Sequence, residues 1–187
     1  MFLNNFIFAE ELEPRLELGF NMGAMTAEKR ESYFGESSFF YPEVGAWVNL
    51  GEKARFGITT GFIYVGYEDE YIKKTISVFP TMLEMSVLHV EPGLEYQEFF
   101  MELGLGVGFF LSVGDVYRNA NAWSLKIGTG FISEELMFSI NAKIIGCNAI
   151  AEDTFSYIIK FPDEIGNIGE EMDLGGVAIT IGVGTRF

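Results

Sequence analysis

In 187 residues the chain has one cysteine, Cys147, and one histidine, His89. A single thiol excludes an internal disulfide, and a lone histidine leaves histidine-dependent chemistry with one candidate. No His/Cys cluster suits zinc, and Gly104-x-Gly106-x-Gly108 is alternating glycine within a strand pattern rather than a phosphate loop opening a helix. No cofactor is implied. Long apolar runs are also missing. The longest, residues 103–114, is closed by Glu102 and Asp115 and falls short of the ~18–20 residues of a spanning helix. That excludes a helical membrane protein, but not a barrel whose strands need only about 9–11 residues. Cations are scarce: 12 Lys and Arg stand against 27 Asp and Glu, and the net charge of −15 argues against a nucleic-acid partner.

What is present is apolar residues in alternation. Hydrophobic residues make up 49%, with 22 glycines and 19 phenylalanines, which excludes a disordered or collagen-like chain. Period-two alternation, the mark of a two-faced strand, recurs in eight segments. They are residues 15–25, 39–50, 55–66, 84–96, 99–111, 122–132, 136–148 and 174–187. Pro42 has no N–H, so a gap or bulge is expected early in the second. Connections alternate long and short, the 67–83 stretch counting as long, and the strand number is even. These features predict an all-β fold, an eight-stranded antiparallel up-and-down transmembrane β-barrel. A ten-strand count that adds 71–79 and 154–161 turns Lys73 or Lys74 towards lipid, so those segments read better as extensions standing above the membrane.

Aromatic residues of the outward parity fall at two heights. Phe56, Tyr96, Phe99, Phe131, Phe138 and Phe187 gather at the rim of short turns, and Phe40, Tyr64, Phe109 and Trp123 near the other rim. Two belts around an aliphatic band are what a lipid-facing wall requires. The inward parity gathers Glu17, Glu43, Glu91, Glu95 and Glu102 with Arg15, Arg55, Lys126, Lys143 and Arg186. Charges inside so narrow a barrel must be paired, and inward glycines leave room for the long side chains. His89 and Glu91 are expected on this inner face as neighbours, with Ser86 on the opposite parity and so badly placed for a nucleophilic triad. The network is expected to be a packed plug, with a pore or binding cavity as the alternative.

The chain's last segment, Thr180-Ile181-Gly182-Val183-Gly184-Thr185-Arg186-Phe187, resembles the terminal assembly signal of bacterial outer-membrane barrels, marked here by Thr180, Gly182 and Phe187. Thr185 departs from the apolar residue usual there. Together with the belts, this makes residues 15–187 similar to the small eight-stranded family of outer membrane protein X, outer membrane protein W and the opacity proteins. The resemblance implies a Gram-negative outer-membrane protein with both termini periplasmic. It also implies contact with outer-membrane lipid and lipopolysaccharide, and recognition of the last strand by the barrel-assembly machinery.

The implied role is non-enzymatic: surface interaction, adhesion or membrane integrity through the external loops. A narrow channel for small solutes, or a lipid A acyl hydrolase or acyltransferase dependent on His89, are the alternatives. Residues 1–9 read as a signal-peptide remnant and 10–187 as one barrel domain. In the last long loop Phe155, Tyr157, Ile159 and Phe161 alternate with Thr154, Ser156, Ile158 and Lys160, a candidate strand for an extracellular protein partner. The same loop is acidic, with Glu152, Asp153, Asp163, Glu164, Glu170, Glu171 and Asp173 offering Ca²⁺ or cation-bridged lipopolysaccharide contacts, or simply solvated charge.

Overall fold

A computed structural model describes residues 15–26, 38–50, 53–68, 73–93, 97–113, 120–150, 155–156, 165–166, 171–173 and 175–187. In chain order the strands are β1 (Arg15–Thr26), β2 (Ser38–Asn49), β3 (Ala54–Gly61), β4 (Ile63–Glu68), β5 (Lys73–Pro92) and β6 (Gln97–Val113). There follow β7 (Ala120–Ser133), β8 (Leu136–Ile150), β9 (Phe155–Ser156), β10 (Ile165–Gly166), β11 (Glu171–Asp173) and β12 (Gly176–Arg186). Each wall strand pairs antiparallel with its neighbours, and β12 pairs with both β8 and β1. The ladder thereby returns to its start. With β3 and β4 forming one interrupted strand, the result is a closed eight-stranded antiparallel barrel, which removes the free edges an open sheet would carry.

Period-two sequence becomes two-sided wall. In β1 Glu17, Asn21 and Met25 are buried while Leu16, Leu18, Phe20 and Met22 are exposed. The outward aliphatic band includes Leu103, Leu105, Val107, Ile179 and Ile181, each about 60% exposed, from 57% to 65%. Phe56, Phe99, Phe138 and Phe187 stand out at the turn end, with Phe131 stacked on Phe138 at 4.9 Å between ring centroids. Phe40, Phe109 and Trp123 stand out nearer the loop end. Tyr96 lies outside the described residues, and Tyr64 falls in β4.

Two boundaries differ from the sequence pattern. The stretch 67–83, expected as a long polar connection, is largely strand: β4 and β5 pair from Ile63↔Val78 to Glu68↔Lys73, leaving 69–72 between them. The β3–β5 and β4–β5 ladders share one register, and they are parted opposite Pro80, which has no N–H to donate. Pro42 acts similarly. The β2–β3 ladder ends at Glu43↔Gly61, next to a Phe62 N–H that donates to the Pro42 carbonyl at 2.9 Å. Of the segment 154–161 only Phe155 and Ser156 are described: as β9 they pair with β10, and it is β11 that lies beside β8.

Candidate functional site

The lumen holds an alternating chain of charge. Arg186 Nη2 lies 3.8 Å from Glu17, and the opposite carboxylate oxygen of Glu17 meets Arg55 Nη1. Arg55 also forks onto Glu102, Nε to Oε1 at 2.8 Å and Nη2 to Oε2 at 2.5 Å. Glu102 Oε1 accepts from Lys126 at 2.9 Å, and Lys126 continues to Glu84 at 3.2 Å. Lys143 then bridges Glu84 at 2.5 Å and Glu43 at 2.6 Å.

Among the described side chains, each of the eight wall strands supplies one member of this chain. Four acids meet four bases, so the eight charges cancel and the chain's −15 lies outside this set. Neutral groups satisfy the remaining acceptor positions. Asn49 Nδ2 donates to Glu17 at 3.0 Å, Asn21 Nδ2 and the Tyr41 hydroxyl donate to Glu43 at 3.2 and 3.1 Å, and Thr59 Oγ1 donates to Glu84 at 3.1 Å. A buried charge is tolerable only with this degree of pairing.

Trp47 occupies the space beside the chain. The Arg55 guanidinium carbon lies 4.8 Å and the Lys126 ammonium 5.5 Å from its ring centre, both within cation–π range. Among the described residues its indole N–H finds no hydrogen-bond partner, so stacking and packing hold the ring. Gly45 and Gly57 make the room: a Cβ on either would come within 2.1 or 2.3 Å of the indole.

Buried apolar side chains lie on both sides of the chain of charge. Towards the turns Leu88, Phe100, Ile132 and Met137 form a buried cluster with Val90 against it. Towards the loops Met25, Tyr41, Ile63, Met82, Phe110 and Ile145 are all buried.

Six of the residues assigned to the interior by parity, Glu17, Glu43, Arg55, Glu102, Lys126 and Lys143, come together there, with Arg186 at its mouth. Arg15 is exposed at the start of β1, and Glu95 lies outside the described residues. His89 and Glu91 are corrections. They are neighbours, Nε2 to Oε1 at 3.2 Å, but stand on the outer wall, their side chains 65% and 68% exposed. The β5–β6 ladder runs from Ser77↔Val113 to Pro92↔Glu98 without a bulge, so parity cannot change along it. Inward positions of β5 are therefore Glu84, Ser86 and Leu88. Glu84, missed by sequence reasoning, is the link between Lys126 and Lys143. The alternation Leu83-Glu84-Met85-Ser86-Val87 carried that signal. Ser86 is inside and His89 outside, so the wall separates them and no triad joins the two.

Thr180 is buried in the lumen and Phe187 is 67% exposed, its N–H donating to the Leu16 carbonyl at 2.8 Å. Phe155 belongs to β9, while Tyr157, Ile159 and Phe161 lie outside the described residues.

A closed eight-stranded wall, apolar outside between aromatic rims and ionic inside, defines the class: the fold is that of the small outer-membrane β-barrels. Solved structures share it. Neisserial surface protein A superposes with a TM-score of 0.53 at 11% identity, over 93% of this chain and 97% of that one. The outer membrane protein OprG from Pseudomonas aeruginosa gives 0.55 at 11% identity, over 93% and 95%. At such identity the likeness is one of fold. No protein-family model and no curated protein matches the sequence.

Proposed function

We propose that the chain is a non-enzymatic outer-membrane barrel with a sealed lumen, acting in surface interaction or membrane integrity through its loop end. The observation that carries this is the unbroken run of ion pairs from Arg186 to Glu43 between two apolar layers. A conduit needs a hydrated path, and here the eight charged groups are spent on one another. With the start of β1 and the end of β12 both at the turn end, the turns face the periplasm and the long loops the exterior. The segment whose sequence alternates through Phe155, Tyr157, Ile159 and Phe161 is the contact surface for an extracellular protein. Lipopolysaccharide surrounds the loop end, and the β12 segment with Thr180, Gly182 and Phe187 is what the assembly machinery reads.

Refolded into lipid vesicles, the chain should migrate differently before and after boiling and show no conductance steps in planar bilayers. Discrete steps would overturn the sealed lumen. Cells displaying the chain should adhere to cultured epithelial monolayers or resist bile salts better than cells lacking it. Replacing residues 154–161 by Gly/Ser should remove that gain while the mobility shift persists. An undiminished gain would overturn the loop assignment.

A further inference from the structure

The outer wall is not evenly convex. A groove of about 510 Å³ lies across β1, β12, β8 and β7, on the half of the wall nearer the turns. Its upper bank follows from register: Phe20 faces Val183, Val183 faces Phe138, Phe138 faces Phe131 and Phe131 faces Phe99. Four rings and one valine thus form a single row across five strands. The next row brings Met22, Ile181, Ile140 and Thr129 into line. Between the rows the floor is lowered by Gly130, Ser139 and Gly182, whose side chains are absent or turned inward. The Thr129 hydroxyl, the polar group on that bank, donates to the Phe100 carbonyl at 3.0 Å and so presents its methyl outward.

We propose that this groove is a specific acyl-chain site, occupied by one hydrocarbon chain of a membrane phospholipid. The inference rests on the reading of the chain as a membrane barrel. The groove is continuous with the apolar band, so what lies over it is hydrocarbon. It offers no charged side chain to a protein partner. Its volume corresponds, at about 30 Å³ for a water-sized group, to on the order of a dozen or more methylenes. The aromatic row gives rigid, flat walls that a flexible chain fills, where a second barrel's convex wall would leave the floor empty.

The test counts lipids. The full chain, extracted in a mild detergent, is examined by native mass spectrometry, with Thr129→Phe and Val183→Phe as groove-filling variants and Leu103→Phe as a control elsewhere on the wall. All three positions face outward, so the boiling-dependent mobility shift reports whether each variant folds. The expected result is one phospholipid retained by the parent and the control, and at least a fivefold loss of that species in both groove variants.

A second reading uses Phe131→Trp combined with Trp123→Phe, so that the introduced indole is the lipid-facing one, with phospholipids brominated on the acyl chain. Its fluorescence should be quenched at low lipid-to-protein ratio, and Thr129→Phe should shift that quenching to higher ratios. Equal retention by all four proteins, retained lipid A in place of phospholipid, or a retained second barrel would each overturn the assignment. A chain that shows no mobility shift at all would instead overturn the membrane reading beneath it.

Discussion

Residues 125–127 of β7 carry both halves of the molecule. Leu125 and Ile127 face outward, 37% and 63% exposed, while Lys126 between them is 5% exposed and joins Glu84 to Glu102. One strand thus meets two media at a spacing of one residue. Outside, stability comes from offering nothing polar to hydrocarbon. Inside, it comes from matching every charge to a neighbour on another strand. The outer face tolerates exchange of one aliphatic residue for another. The inner face does not, because Arg55, Lys126 and Lys143 there each serve two carboxylates. Away from the groove the wall is generic, and the lumen is specific.

The largest test of that contrast removes a shared cation. Lys143→Met leaves Glu43 and Glu84 without their common partner and should cost about 3–5 kcal/mol in urea unfolding followed by tryptophan fluorescence. Adding Glu43→Gln should recover part of the loss, because it removes one of the two stranded charges. A cost below about 1 kcal/mol for the single variant would show that the lumen is wetter than its packing implies. A charge moved to the other face comes next. Ile127→Lys, one residue from a lysine the fold requires, should cost about 2–4 kcal/mol in the same measurement. An unchanged unfolding midpoint would mean that Ile127 does not meet hydrocarbon.

The smallest effect lies outside both media. The β7–β8 turn places Glu134 at φ 54°, the left-handed region, in a two-residue connection closed by Ser133↔Leu136. Glycine is the residue suited to that position. Glu134→Gly should therefore stabilise the barrel by about 1 kcal/mol, with no change in lipid retention or mobility shift. Destabilisation would mean that the carboxylate makes a contact worth more than the backbone strain.

Most of the wall was legible because period two is a local property. Leu16 to Met25 and Ala122 to Ile132 need no knowledge of their neighbours to show which face is apolar. The failures have equally physical causes. At the turn end of β5 the lumen is itself apolar, so Leu88 sits inside and His89 and Glu91 outside, the reverse of what polarity alone predicts. The 67–83 stretch is polar enough to resemble a loop, yet it pairs because β4 and β5 extend past the apolar band and are joined by a short connection. Trp47 shows a third limit. A large indole on an inward position can be read from alternation, but its place between Arg55 and Lys126 cannot.

By itself the sequence determined the strand count, the two faces of most of the wall and six of the charged residues destined for the interior, while it turned Glu91 inward and passed over Glu84. These follow from alternation, which each segment expresses alone. Only the tertiary structure decided which charges meet. Arg55 finds Glu102 47 residues away and Lys143 finds Glu43 100 residues away, across a lumen that exists only once β12 has paired with β1. Register sets the height of each side chain and closure sets its opposite number. Neither is a property of a strand on its own.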